Sequence, residues 1–388
     1  MVASPTTSDV TGQLIKLLNE KSRQSDSPPT PKDLHSEFCL KVSKFRGHRQ
    51  HDSHEFLRNF LEELRKEEKG ISASKQNRTL TVVDRIFGGH QITVYTCCSC
   101  HAPFHIFEAM LDISLPVLTG TADVPAESSL PAAARDDLYR DDPCRDDPYR
   151  NAVKQLMRPL SEFKPTSCPN PIEKQCSVNG SLRHFTRVEH IKDEYLCNEC
   201  SGNHSERLND EGPKTSATKQ TLIFNPPAIL TIHLKRFKLK PGRSIKVNDM
   251  VEFDELLDIG PYCSCQCLRM GEPPSQNVWY SLYGVVVHQS ESLTSGHYIA
   301  FVKVREKEQE LERSLQEEYF DKDISADQLV EMMRRQMRHH PPTSRLDATD
   351  SNKGDWYLVD DLRVCKVIVE TVLKQKAYLL FYERLQSI

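Results

Sequence analysis

Two groups of residues in this 388-residue chain have the types and spacing to do chemistry. Cys97-x-x-Cys100 and Cys197-x-x-Cys200 are paired cysteine knuckles. Four thiolates suit a tetrahedral Zn²⁺ ion in a closed structural site. The gap between the knuckles is much longer than in a compact zinc ribbon, and Cys98 competes with Cys97 for one ligand position. Cys263, Cys265 and Cys267 in "YCSCQC" have no evident partner cluster and read as ordinary thiols.

The second group surrounds His297 in "SLTSGHYIAFVKV", residues 292 to 304. Tyr298, Ala300, Val302 and Val304 alternate with His297, Ile299, Phe301 and Lys303, the period-two pattern of a half-buried strand. Gly296, just before it, allows backbone from another part of the chain to approach closely. A histidine there is placed to act as a general base, because its ordinary pKa lies near neutrality. A base needs a nucleophile. Before residue 97 the sole cysteine is Cys39, in "HSEFCLKV". It falls within a helical pattern, where a cysteine is usually a small buried hydrophobe and unreactive.

The elements that must carry these residues divide along the chain. Up to about residue 70 the pattern is helical. "TPKDLHSEFCLKVSKF" offers Thr30 as N-cap and Pro31 as the first helical residue, with Leu34, Phe38, Val42 and Phe45 on one face. "DSHEFLRNFLEELRKEEK" opens with Asp52 and Glu55 at capping-box spacing and buries Phe56, Phe60, Leu61 and Leu64. From about residue 80, short strands are expected in "TVVDRIFGG", "QITVYT" and "FEAMLDISLPV". They resume in "KQTLIFNPPAILTIHLKRFKL", "VWYSLYGVVVHQ" and, at the end, "GDWYLVDD" and "AYLLFYERL". Residues 119–170, with the charged, proline-rich near-repeat "RDDLYRDDPCRDDPYR", read as a disordered insertion. Residues 305–352 read as a charged helical insertion. Helices first and antiparallel strands later make this an α+β chain.

Composition narrows the classes of function. Hydrophobic residues make up 38% and charged residues 27%, a core with polar insertions, and a net charge of −4 provides no nucleic-acid footprint. "MVASPTTSDV" lacks the basic and apolar regions of a signal peptide, and no apolar run reaches the length of a membrane span. Thirteen cysteines in such a chain point to reduced thiols and metal ligands, hence to cytosol or nucleus.

Taken together, these segments resemble the ubiquitin-specific proteases. "GHRQHDSHEF" resembles the family's QQD box, with His51 in place of the second glutamine. The paired knuckles resemble its finger zinc site, and "PPAILTIHLKRF" its palm strand. "YSLYGVVVHQSESLTSGHYIAF" and "WYLVDD" resemble its histidine and acidic boxes. "VDRIFGG" and "AYLLFYERL" look like the subfamily that also carries an N-terminal zinc-finger ubiquitin-binding domain. The resemblance implies a papain-like fold spanning 1–388. It would comprise a helical thumb remnant over 12–70, fingers and palm over 80–118 and 176–220, palm over 221–304 and a palm end over 353–388. It also implies structural zinc on Cys97, Cys100, Cys197 and Cys200, and ubiquitin and ubiquitinated proteins as partners, without nucleic acid or membrane. His297 would be the base, Asp360 or Asp361 its orienter, and Asp52 a contact for ubiquitin's basic tail.

One box of the family has no counterpart here. Its nucleophile lies in a stretch like G-N-T-C-F-x-N, upstream of the QQD box, which also supplies oxyanion-hole groups. As given, the chain is expected not to catalyse and to have an incomplete thumb with an open apolar groove. The resemblance thus implies an incomplete deubiquitinase or a ubiquitin-binding pseudo-enzyme. The knuckles alone would also permit a zinc-ribbon scaffold.

Overall fold

The computed structural model of the chain describes residues 9–22, 30–47, 49–72, 81–118, 176–201, 214–240, 243–264, 277–290, 296–304 and 354–385. The insertions expected at 119–170 and 305–352 lie outside them, as do Cys265 and Cys267. Two compact units are present. One takes in the chain up to Ile86 together with Gln289–Tyr298; the other takes in Phe87–His288 and the described residues from Ile299 onward.

The first unit is helical: α1 (Val10–Ser22), α2 (Lys32–Lys41), a 3₁₀ turn (Ser43–Phe45), α3 (Ser53–Ser72) and α4 (Val82–Ile86). Its core is Val10, Phe38, Cys39 and Phe45, with Leu34, Val42, Phe56, Phe60 and Leu64 packed around them. The Phe38 ring meets Phe45 at 5.3 Å and, edge-on, Phe56 at 5.0 Å, an arrangement aromatic quadrupoles favour. The apolar face expected from the spacing is therefore buried, but α2 is shorter than expected. It starts at Lys32, with Pro31 in the N-cap position and no side-chain cap, so Thr30 does not cap it. It ends at Lys41 because Arg46 takes up the freed carbonyls, Nε donating to Cys39 O at 2.7 Å and Nη2 to Leu40 O at 2.9 Å.

Two acidic residues of α3 cap other helices. Glu67 accepts from the backbone N–H of Val10 and Thr11 at 3.1 and 2.8 Å and from the Thr11 hydroxyl at 2.7 Å. Glu68 accepts from Val82 N at 2.8 Å. Substituting Glu67→Ala should cost about 1–2 kcal/mol, as loss of an N-cap does. Chemical denaturation of both proteins checks this; an unchanged midpoint would mean that solvent replaces the carboxylate at no cost.

"TVVDRIFGG", expected as a strand, is instead α4 followed by a turn. Thr81 and Asp84 form a capping box: Asp84 N donates to Thr81 Oγ1 at 3.1 Å, and Thr81 N donates to Asp84 Oδ2 at 3.3 Å. Arg65 then holds Asp84 Oδ1 at 2.7 Å. Satisfying the first N–H groups outweighs the β preference of the two valines.

The second unit holds two main sheets. β1 (Gly89–Cys97), β2 (Pro103–Met110), β4 (Glu189–Leu196) and β5 (Lys214–Asn225) form a four-stranded antiparallel sheet in the order β2-β1-β5-β4. Gly89 is required where β1 starts, since a Cβ there would lie 2.8 Å from Met110 Cε and 2.9 Å from Asn225 O. The larger sheet adds β3 (Ile113–Pro116), β6 (Ile229–Lys235), β10 (Trp279–Gln289), β11 (His297–Val304), β12 (Asp355–Asp360), β13 (Arg363–Val367) and β14 (Ala377–Arg384). Its order is β13-β12-β11-β10-β14-β6-β3, with β9 (Leu256–Asp258) joined to β10. The β3–β6 pair is parallel; β9–β10, β10–β14, β11–β12, β12–β13 and β14–β6 are antiparallel. β7 (Phe237–Lys240) and β8 (Arg243–Lys246) make a separate hairpin. α5 (Val178–Phe185) packs on β3, and Leu230, Ile232, Tyr280, Leu282, Leu380 and Tyr382 are wholly buried.

Arg236 is one of the charged residues buried in this core. Its guanidinium donates to the carbonyls of Ala377 at 2.6 Å, Val247 at 3.0 Å and Asp249 at 2.8 Å. Burial lowers its pKa to about 10, still protonated at neutral pH. One side chain thus pins β14 to the loop after β8.

Candidate functional site

The four cysteines are brought together by the smaller sheet. β1 ends on Cys97, and a tight turn through His101, at a φ of 59°, leads into β2. β4 ends beside Cys197, and α6 (Asn198–Ser201) carries Cys200. Both strands pair with β5, with Cys97 opposite Ala217 and Leu196 opposite Lys214. The shared neighbour closes the long sequence gap. Cys97 Sγ lies 3.7 Å from Cys200 Sγ, and Cys100 Sγ lies 3.5 Å from Cys197 Sγ. All four sulfurs fall within 4.8 Å of one another. Tetrahedral zinc with bonds of about 2.3 Å separates its sulfurs by about 3.8 Å, so the group can hold such a metal. Cys98 is exposed and outside the group, which resolves its competition with Cys97. Cys263 is buried apart from it, as an ordinary thiol.

Electrostatics within the group favour an early first thiolate. Burial raises the Cys97 pKa, but hydrogen bonds from the Thr215 hydroxyl and the backbone N–H groups of Cys100 and Ser99 outweigh it, bringing the value to about 6. Thr215 Oγ1 is 3.4 Å from that sulfur. The hydrogen bond shared with Cys100, together with burial, pushes the Cys200 thiol up. Negative charge accumulates on neighbouring sulfurs, the situation a divalent cation relieves. The role of Thr215 has no sequence signal; it follows from the β1–β5 register.

His297 opens β11, as the alternation implies, and the face that strand buries carries Ile299, Phe301 and Lys303. Burying a lysine is possible because its ammonium meets Glu255 Oε1 at 2.7 Å and lies 5.2 Å from the Trp356 ring centre. Trp356 Nε1 also donates to Glu255 at 3.3 Å. Ala300 pairs with Val359 of β12, and Asp360 is the next and last residue of that strand. Asp361 follows at a φ of 50° in the turn to β13.

Within the helical unit, residues 50–53 reach the chain around His297. Gly296 N donates to Gln50 Oε1 at 3.1 Å, and Gln50 Nε2 donates to Gly296 O at 3.3 Å. Ser53 N donates to Tyr298 Oη at 3.4 Å. Burial, then the nearby Asp52 carboxylate, raises the Tyr298 pKa. At Gly296, where an approach of backbone was expected, the contact is made by a glutamine side chain instead. Asp52 Oδ1 accepts from Glu55 N at 2.8 Å, the first half of the expected capping box. Glu55 itself pairs with Lys44 at 2.8 Å.

Cys39 is 8% exposed, its thiol donating to Phe45 O at 3.2 Å with His35 Nε2 3.5 Å away. Beside it an apolar groove of about 710 Å³ runs between Leu14, Pro31, Leu34, Phe38, Phe56 and Phe60.

The chain matches the family described as ubiquitin carboxyl-terminal hydrolase over residues 3–382. It is 36% identical over 222 residues to ubiquitin carboxyl-terminal hydrolase 45 of Danio rerio, covering 55% of this chain and 24% of that protein. A probable ubiquitin carboxyl-terminal hydrolase 16 of Schizosaccharomyces pombe is 25% identical over 358 residues, covering 91% of this chain and 52% of that one. The chain thus spans between about a quarter and a half of the length of these curated relatives. In fold it is similar to the Ubp8/Sgf11/Sus1/Sgf73 deubiquitinase module of SAGA bound to ubiquitin aldehyde. That likeness has a TM-score of 0.62 and 19% identity, covering 100% of this chain and 62% of the other. No helix among the described residues is long and apolar enough to cross a membrane. The chain belongs to the ubiquitin carboxyl-terminal hydrolase family.

Proposed function

We propose that these 388 residues form the histidine, acidic and finger portions of a cysteine-type deubiquitinase that acts on the bond after ubiquitin's C-terminal glycine. The observation that carries the reading is the meeting of two separate motifs: residues 50–53 bond to the residues on either side of His297. In this reading His297 Nε2 or Nδ1 takes the thiol proton and returns it to the leaving lysine amine. Asp360 or Asp361 sets the tautomer, and Asp52 receives a basic residue of ubiquitin's tail. Zinc on Cys97, Cys100, Cys197 and Cys200 supplies rigidity to the fingers and takes no part in proton transfer.

Cys39 is not the nucleophile in this reading. Its thiol is spent on a backbone carbonyl inside the helical core. Alone, these residues bind ubiquitin without cleaving it. The test is ubiquitin carrying a thiol-reactive group at its C-terminus, read by intact mass alongside calorimetric binding of native ubiquitin. Binding without an adduct is expected. An adduct mapped to Cys39 would overturn the assignment of the nucleophile, and failure to bind would overturn the ubiquitin reading.

Asp52 provides a sharper check, because it both caps α3 and is assigned to substrate. Asp52→Asn keeps a cap acceptor and removes the charge. Ubiquitin binding should weaken about tenfold with Tm unchanged, as loss of one charge-assisted hydrogen bond implies. A variant that binds like the parent would leave Asp52 with capping alone.

A further inference from the structure

We propose that Gln50 is a positioning residue for His297, gripping the preceding residue, Gly296, through both its N–H and its C=O. A primary carboxamide offers a donor and an acceptor side by side. Gln50 uses both on a single residue, accepting from Gly296 N at 3.1 Å and donating to Gly296 O at 3.3 Å. The side chain thus does for Gly296 what a partner strand does for a residue in a hydrogen-bonded pair. Gly296 stands immediately before β11, whose pairing with β12 begins only where Ala300 meets Val359.

A second tether lies on the other side of the histidine. The N–H of Ser53, in the first turn of α3, has no partner within its own helix. It donates to the Tyr298 hydroxyl at 3.4 Å. Residues 296 and 298 are therefore both held by the short run 50–53, with His297 between them. That run is itself anchored: the His51 ring packs 4.8 Å from Phe45 in the helical core, and Asp52 caps α3. An imidazole whose backbone is fixed on both flanks loses less freedom on reaching a reactive geometry.

The consequence for catalysis rests on the reading of His297 as general base, but the clamp itself can be measured without activity. In the full chain labelled at glycine and histidine, NMR reports hydrogen exchange at Gly296 and titration of the His297 ring. With Gln50→Ala, exchange at Gly296 should quicken about tenfold, the effect of losing a modest hydrogen-bonded pair. The His297 titration midpoint should move while Tm stays put. Gln50→Glu keeps the acceptor, loses the donor and adds a negative charge at the residue before the histidine, so the midpoint should rise. Wild-type exchange and titration in Gln50→Ala would overturn the proposal. Should that variant not fold, the same pair of wild-type values in Gln50→Glu would overturn it. Native ubiquitin titrated into the same samples tests the other reading: a protected Gly296 in a parent chain that ignores ubiquitin would leave the clamp and remove the deubiquitinase.

Discussion

Replacing Cys197 with serine is expected to abolish stoichiometric zinc and to lower Tm by about 10 °C or more, whereas Cys98→Ser changes neither. Structural zinc contributes its binding free energy to folding, and the loss of one thiolate from a closed four-sulfur site forfeits most of it. The sulfurs already stand at 3.5 and 3.7 Å, close to the edges of a zinc-centred tetrahedron, so little strain has to be relieved on binding. Cys98 lies outside the group and is exposed. Metal content and thermal unfolding of the two variants decide the matter. Equal zinc in both would show that the knuckles hold no metal. A chelator titration at falling pH should release the ion more easily, since protons and zinc compete for the same thiolates.

A second large effect is expected at the buried ion pair beneath β11. Glu255→Leu should destabilise the chain by about 3 kcal/mol, because it strands a lysine ammonium inside the sheet. Lys303 has a side-chain exposure of 1%, against 29% for Glu255, so the ammonium cannot turn to water as the carboxylate could. Trp356 Nε1 would lose its acceptor as well. The double variant Lys303→Met with Glu255→Leu should recover most of the loss, since removing both charges is often neutral. Urea unfolding of the single and double variants measures both. Equal losses in the two would mean that shape at this site, and not the stranded charge, sets the cost. Because β11 begins at His297, the single variant should also loosen the histidine strand.

Much of this fold was legible in local pattern. The apolar spacing of Phe38, Phe56 and Phe60 announced a helical core, and Asp52 announced the start of α3. The strand ending on Cys97 showed in the alternation of "QITVYT". Where reading failed, a competing local force was at work. Thr81 and Asp84 satisfy each other's backbone groups, and that cap turned two valines into helix. Arg46 ended α2 early by reaching back to its last carbonyls, an interaction no periodicity reports.

By itself, the sequence singled out the residues proposed to carry chemistry: two knuckles, a histidine at a strand start, two adjacent aspartates and a helix-capping acid. These are matters of residue type and short spacing, which local sterics and hydrogen bonding translate directly into elements. Only the tertiary structure decided that Cys97, and not Cys98, joins the other three. That choice depends on the registers of β1 and β4 on β5, which bring the end of β1 at Cys97 near Cys197 and leave Cys98 in the turn beyond it. Only the tertiary structure showed a lysine on the inner face of β11, because its partner Glu255 stands 48 residues away. The grip of Gln50 on Gly296, across 246 residues, is of the same kind. Each is a long-range pairing fixed by sheet register or helix packing, and a linear chain contains no measure of either.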